Sequence, residues 1–225
     1  MPFDFAEAQE ALNRSILRAD LQPYYGDYIN AALVKIQNRR SWTFMKHTET
    51  IALGPSSEPS VTPLEANFKE LRREPSINFI ADDGGLIPAV TVFEEEEIFR
   101  VWAWSGAPMF VWPPRVFLLR GPASPTQLLT GQTIQASIGI LEPLIETFNV
   151  AVNMFQYLPL LVNPTDLSPF LIAYPDMVLE MAKVIAFTRV NDPERDKARG
   201  QFEIEYRAAA SQDAYSEVVG RRLRM

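Results

Sequence analysis

Histidine and cysteine, the usual ligands and nucleophiles of enzymes, are almost missing from this sequence. The 225 residues contain no cysteine and a single histidine, His47, which stands between Lys46 and Thr48. A zinc cluster of the common types needs several His or Cys ligands, and a serine triad needs a histidine near a suitably placed serine. No Gly-x-Ser-x-Gly segment, phosphate-binding Gly-rich loop or dinucleotide fingerprint is present. The sequence therefore predicts no catalytic residue, no metal ligand and no cofactor.

Carboxylates are the remaining candidates for chemistry, because the chain has 28 Asp and Glu residues. A pair such as Asp82 and Glu142 could flank a glycosidic bond, one as a general acid and the other as a base or nucleophile. Separation along the chain does not show that the two are close, and an acidic chain supplies such pairs by chance. A hydrolase that cleaves glycosidic bonds therefore stays as an alternative, and the preferred interpretation is that the protein is not an enzyme.

The densest charge run is Glu94-Glu95-Glu96-Glu97. One interpretation is a solvated loop or helix start. The other is a ring of negative charge: repeated around a rotation axis, the run would line a lumen or rim and repel DNA. Glu94, Glu95, Glu96 and Glu97 are thus candidate lumen or rim residues.

The C-terminus is basic, since the chain ends Gly-Arg-Arg-Leu-Arg-Met with Arg221, Arg222 and Arg224. A loose, solvated end is one interpretation. The alternative is an arm whose guanidinium groups dock into an acidic crevice of a partner and become ordered on assembly.

The formal net charge is −7, which argues against a surface that grips phosphates. No apolar run reaches the roughly 18 residues of a membrane span, and the N-terminus lacks the pattern of a signal peptide. With no cysteine, these features predict a protein made in a reducing cytoplasm and not inserted in a membrane.

The order of patterns along the chain predicts an α+β fold. Residues 1–41 contain two amphipathic helices separated by Gln22-Pro23, and residues 164–213 contain two to three more, which we expect to pack together as an antiparallel helical core. In the first helix, apolar residues recur at helical spacing: Phe5, Ala8, Leu12, Ile16 and Ala19. The second ends on the basic residues Lys35, Arg39 and Arg40, and Trp42 closes it. Ser168 and Asp192 are the predicted N-caps of two of the later helices.

Residues 42–163 are rich in Val, Ile, Phe, Trp, Pro and Gly and predict an inserted β-rich block. Within it, Phe148, Val150, Val152 and Met154 alternate with Asn149, Ala151, Asn153 and Phe155, which predicts a strand with one better buried face. Residues 214–225 show no clear helical face and predict an extended basic C-terminal arm.

Several segments resemble the head-to-tail adaptor (connector) proteins of tailed phages. They are Leu158-Pro159-Leu160-Leu161 after a strand, Tyr174-Pro175-Asp176 at the start of an apolar helix, and Asn191-Asp192-Pro193-Glu194-Arg195 before a helix that carries Phe202 and Tyr206. Weaker likeness continues upstream through Ser105-Gly106-Ala107-Pro108, Leu141-Glu142-Pro143 and Thr62 to Lys69.

The resemblance implies a structural virion protein that forms a twelve-fold ring below the portal, joins the capsid to the tail and continues the DNA channel. It implies the portal protein and a tail tube, nozzle or other tail protein as partners, with DNA passing through without specific binding. Such a protein would be assembled in the host bacterial cytoplasm and reside at the head-tail junction of the virion. The implied portal-docking arm consists of Tyr215, Val218, Val219, Arg221, Arg222, Leu223, Arg224 and Met225.

Two further interpretations stay open beside that of a virion-associated cell-wall hydrolase. One is another neck or tail-completion protein, which would not need a portal-docking arm. The other is a small interaction module whose closed symmetry would most often be two-fold.

Overall fold

The computed structural model describes residues 3–55, 60–64, 67–72, 76–92, 115–120, 136–140 and 146–222. The chain divides into two compact units. The helical unit contains Met1–Phe44 and Leu158–Met225, and the β unit contains Met45–Gln127 and Gln132–Tyr157. Helices and antiparallel sheets in one chain confirm the predicted α+β class, with a β-rich block between the second and third helices.

The first two helices are the two amphipathic helices that the sequence predicts within residues 1–41. Helix α1 spans Phe5–Ile16 and starts with a capping box, in which Glu7 N donates to Asp4 Oδ1 at 2.8 Å. Its buried side chains recur at helical spacing: Phe5, Ala8, Leu12 and Ile16. A 3₁₀ turn at Gln22–Tyr24 leads into α2, which spans Tyr25–Arg39 and buries eight of its residues.

Three helices follow the β unit, and two of them begin at the predicted caps. Helix α3 spans Pro169–Ala173, and Ser168 Oγ accepts from Phe170 N at 3.3 Å. Helix α4 spans Pro175–Arg189. Helix α5 spans Glu194–Arg222, and Asp192 Oδ1 accepts from Glu194 N at 2.9 Å. These contacts confirm the predicted capping by Ser168 and Asp192.

The prediction of an extended arm from residue 214 was wrong for residues 214–222, because α5 continues as a helix to Arg222. Strong helix formers Ala208, Ala209 and Ala210 precede this stretch, and no proline interrupts it. Gly220 is the one poor helix former there and costs about 1 kcal/mol relative to alanine, which does not break a long helix. The absence of a strong apolar face was therefore insufficient evidence for an extended chain.

The β unit contains nine strands among the described residues: β1 Lys46–Leu53, β2 Ser60–Pro63, β3 Phe68–Leu71, β4 Ile77–Ile80, β5 Leu86–Pro88, β6 Val90–Val92, β7 Arg115–Arg120, β8 Ala136–Ile140 and β9 Phe148–Gln156. One sheet has the order β1-β9-β4-β5, with β3 also pairing with β9. The other has the order β2-β8-β7-β6, in which only β6 and β7 are parallel. The strands thus begin and end slightly inside the predicted 42–163 block.

One apolar cluster draws on both sheets and forms the core of the β unit. Strand β9 contributes Val150, Val152 and Met154, which alternate with Asn149 and Asn153 as the sequence pattern predicts. The neighbouring strand β4 adds Ile77 and Phe79, and strands β7 and β8 of the other sheet add Val116, Leu118, Ile138 and Ile140.

Candidate assembly surface on the C-terminal helix

Helix α5 has two different faces. Ala198, Phe202, Ala209 and Asp213 are buried and recur at spacings of four and seven residues, so they form one face. On the opposite face lie Gly200, Ile204, Ala208, Ser211 and Tyr215, all exposed, which we call the α5 stripe. Ile204 is 62% exposed and Tyr215 is 72% exposed. The helix therefore presents to solvent a stripe of large apolar and small residues, with exposed polar side chains such as Gln201 and Arg207 on either side.

An aromatic cluster fixes the buried face of α5 to the rest of the helical unit. Trp42, fully buried, lies 5.9 Å from Tyr206 in an edge-to-face arrangement and 5.5 Å from Phe170, centroid to centroid. Phe44 and Tyr174 complete it, with Phe44 4.7 Å from Phe170. Edge-to-face pairs add about 0.5–1.5 kcal/mol each beyond the burial of apolar area. The middle of α5 is thus firmly held.

Two arginines at the end of α2 also contact α5. The Arg39 guanidinium lies 4.8 Å from the ring centroid of Phe202 and 5.2 Å from that of Tyr206, and it pairs with Glu203 at 2.9 Å. Arg40 Nη1 donates to Ala210 O at 3.1 Å, and its guanidinium lies over Trp42. The sequence indicated these residues only as basic groups at a helix end, because the spacing along α2 does not show what they reach.

Asp213 is a buried hydrogen-bond acceptor on α5, where the helix contacts the residues that follow α2. Its side chain is 3% exposed, and it accepts from Thr43 N at 3.0 Å and from Arg40 Nη2 at 3.2 Å. The carboxylate joins α5 to the segment that follows α2. Sequence reasoning did not single it out, since nothing in the local pattern distinguishes it from an exposed aspartate.

A second set of exposed apolar side chains lies on the segment before α3 and on α3 itself. Val162, Leu167 and Ile172 are exposed, and we call them the turn patch. Asp166 holds the turn, because Val162 N and Asn163 N donate to its Oδ2, both at 2.7 Å. These two backbone donors hold the pKa of the Asp166 carboxyl below its ordinary value.

The same segment is tied to α1 and α2. The Asn30 side chain makes two hydrogen bonds to the backbone of Leu161: it donates to the carbonyl oxygen at 2.9 Å and accepts from the N–H at 3.0 Å. Phe5 N and Ala6 N, at the start of α1, donate to the carbonyl oxygens of Asp166 and Pro164. The turn patch is therefore presented on an ordered backbone.

A cleft of about 570 Å³ lies between α1, α4 and the start of α5. Its charged lining residues pair with one another: Arg18 with Asp192 at 3.2 Å, Lys183 with Glu180 at 2.6 Å and Lys197 with Glu194 at 3.4 Å. Each cation of the lining has an acidic partner within the cleft, so the arrangement offers no unpaired charge to a ligand.

Some of the predicted site residues lie on α5 or in a turn of the β unit, and the others lie outside the described residues. Tyr215 is exposed on α5, and the backbone of Val218, Val219, Arg221 and Arg222 continues the same helix. Leu223, Arg224 and Met225 lie outside the described residues, as do Glu94, Glu95, Glu96 and Glu97. Asp82 is exposed in the turn after β4, whereas Glu142 is outside the described residues, so the suggested carboxylate pair stays a prediction.

Within the described part of the chain, no group of three or more His, Cys, Asp or Glu side chains is placed to hold a metal ion. None of the helices described is both long enough and apolar enough to cross a membrane. No protein-family model matches the sequence, and no curated protein is detectably similar to it.

Proposed function

We propose that this chain is a head-to-tail adaptor of a tailed phage: a structural subunit that forms a ring below the portal and joins the capsid to the tail. The observation that carries the proposal is α5, a 29-residue helix anchored by its middle and left exposed along its outer face. A helix of this kind gives a subunit both a firm base and a surface for other chains.

The segments of the resemblance also fall on corresponding elements. Leu158 to Leu161 directly follow β9, the last strand. Tyr174-Pro175-Asp176 begins α4, and Asn191 to Arg195 form the capped turn into α5. Phe202 and Tyr206 are the aromatic residues by which α5 joins the Trp42 cluster. These positions support a helical core with an inserted β-rich block, as the resemblance implies.

In this proposal the C-terminal end of α5, with Tyr215, Val218, Val219, Arg221 and Arg222, docks on the portal as a helix and not as an extended arm. Leu223, Arg224 and Met225 belong to the same docking segment. The net charge of −7 suits a channel wall that lets DNA pass without binding it. Tail proteins would attach to the opposite side of the ring.

Portal binding by charge-reversed variants tests the proposal. The variant Arg221→Glu/Arg222→Glu/Arg224→Glu and the wild type are each mixed with the portal ring of the same phage and measured by mass photometry. A control with the same change of charge, Arg14→Glu/Lys35→Glu/Arg199→Glu, alters cations that are exposed elsewhere in the helical unit. We expect the wild type and the control to bind and the C-terminal variant to lose at least tenfold in affinity.

Failure of the wild type to bind would contradict the adaptor proposal. Equal loss by the C-terminal variant and the control would show that binding depends on overall charge, which contradicts the assigned docking segment. A chain shortened to end at Ala214 retains Asp213 and the Trp42 cluster, and it should also fail to bind.

A further inference from the structure

Most exposed large apolar side chains of the described residues lie in the helical unit, and five of them form two sets. Ile204 and Tyr215 belong to the α5 stripe, and Val162, Leu167 and Ile172 form the turn patch. Single exposed apolar side chains are ordinary on soluble proteins, but sets of them on one helix face or one short ordered segment are candidates for contact with another chain. Two different surfaces on one subunit are what a head-to-tail contact between copies requires.

Gly200 is a second indication that another chain approaches the α5 stripe. It lies within the helix, where glycine costs about 1 kcal/mol relative to alanine. A Cβ added at Gly200 would meet no atom within 4 Å, so packing within this chain does not require glycine there. A missing side chain on the stripe lets a neighbouring backbone come closer than a larger residue would.

The charges beside the two surfaces are complementary. Arg207 is exposed on α5 beside the stripe, and Asp176 is exposed four residues after Ile172 of the turn patch. Among the described residues, neither side chain has an ion pair or a side-chain hydrogen bond. A basic group thus neighbours the stripe on α5, and an acidic group follows the turn patch along the chain, at the start of α4.

We propose that the α5 stripe of one copy, from Gly200 to Ser211, packs on the turn patch of a second copy, with Arg207 facing Asp176 across the contact. Tyr215, at the end of the stripe, stays with the portal-docking end of the helix. This inference rests on the proposed function and specifies the contact between neighbouring subunits of the ring. Each added copy leaves one stripe and one patch free, so such contacts continue until a ring closes or, where the rotation between copies does not close, an open filament grows. A stripe that paired with another stripe would stop at a dimer.

The absence of cysteine from the chain makes disulfide trapping a clean test. Ala208 lies in the stripe and Ala173 follows Ile172, and both are exposed, so Ala208→Cys and Ala173→Cys should not disturb folding. The two single variants are mixed, oxidised with copper phenanthroline and analysed by non-reducing electrophoresis, with and without the portal ring. Lys35→Cys, exposed on α2, replaces Ala173→Cys in the control mixture.

We expect the mixture of Ala208→Cys and Ala173→Cys to give cross-linked dimers, and a chain with both changes to give a ladder. Addition of Ile204→Asp to the Ala208→Cys chain should reduce cross-linking at least tenfold. Arg207→Glu should reduce it as well, and Asp176→Arg in the partner chain should restore it.

Cross-linking of Ala208→Cys alone as efficient as that of the mixture would overturn the head-to-tail geometry. Cross-linking no greater than in the Lys35→Cys control, with and without the portal, would overturn the inference entirely. If the wild type binds the portal but no cross-link forms, the inference alone fails. If cross-links form but the wild type does not bind the portal, the proposed function alone fails.

Discussion

The anchoring of α5 by Asp213 gives the sharpest prediction about stability. Asp213→Ala removes the acceptor of Thr43 N–H and one acceptor of the Arg40 guanidinium, at a side chain that is 3% exposed. Breaking a fully buried ion pair costs about 3–5 kcal/mol, whereas exposed pairs contribute about 0–1 kcal/mol. The Arg40 side chain is 30% exposed, so we expect an intermediate loss of about 2–3 kcal/mol in the free energy of opening this part of α5.

Hydrogen exchange measures that loss locally. A change of about 2–3 kcal/mol corresponds to exchange about 30 to 150 times faster for amides of α5 near Asp213. The matched control is Asp196→Ala on the same helix, where the carboxylate is 75% exposed and pairs with Arg195 at 3.1 Å. We expect the control to change the opening free energy by less than about 0.5 kcal/mol. Equal effects of the two substitutions would refute the assignment of Asp213 as an anchor.

Three further predictions concern single positions. Leu17 ends α1 in a left-handed conformation, with φ 52° and its side chain 84% exposed, and a residue with a Cβ is strained in that conformation. Leu17→Gly should therefore raise the free energy of unfolding, measured by urea titration, by about 0.5–1 kcal/mol. A decrease would contradict backbone strain at this position. Thr43 Oγ1 is buried without a hydrogen-bond partner, so Thr43→Val should raise the melting temperature of the protein. A melting temperature below that of the wild type would show that the hydroxyl does have a hydrogen-bond partner. Because the pKa of Asp166 is lowered in the folded state, its stabilising effect is present above the unfolded pKa of about 4 and is lost as the pH falls through the lower folded pKa. In the wild type, the amides of Val162 and Asn163 should therefore lose protection against hydrogen exchange at acid pH, after correction for the intrinsic pH dependence of exchange. In Asp166→Asn the protection of these amides should depend less on pH, and the same pH profile in both proteins would contradict this.

Local signals in the sequence were enough to predict most elements of the fold. The period of Phe5, Ala8, Leu12 and Ile16 identified α1, and the alternation along β9 identified its buried face. Ser168 and Asp192 marked helix starts because capping depends on residues two or three positions apart. Ala19, included in the pattern of α1, lies beyond its end and is exposed, since the chain leaves the helix at Leu17.

The features that hold α5 could not be predicted in this way. Arg40 and Asp213 are separated by 173 positions, and no local period indicates that they meet. Trp42 was noted only as the residue that closes α2, although it contacts aromatic residues of α3 and α5. The stripe from Gly200 to Tyr215 was visible in principle, since its members recur every three or four residues. It was missed because the opposite face, with Phe202 and Tyr206, carries the stronger apolar signal.

Electron microscopy of the wild-type chain with the portal ring of the same phage tests the central proposal most directly. The adaptor proposal predicts a second ring stacked on one side of the portal, with copies arranged in the same symmetry and α5 pointing towards the portal. Portal rings that remain bare at micromolar concentrations of the chain would contradict it.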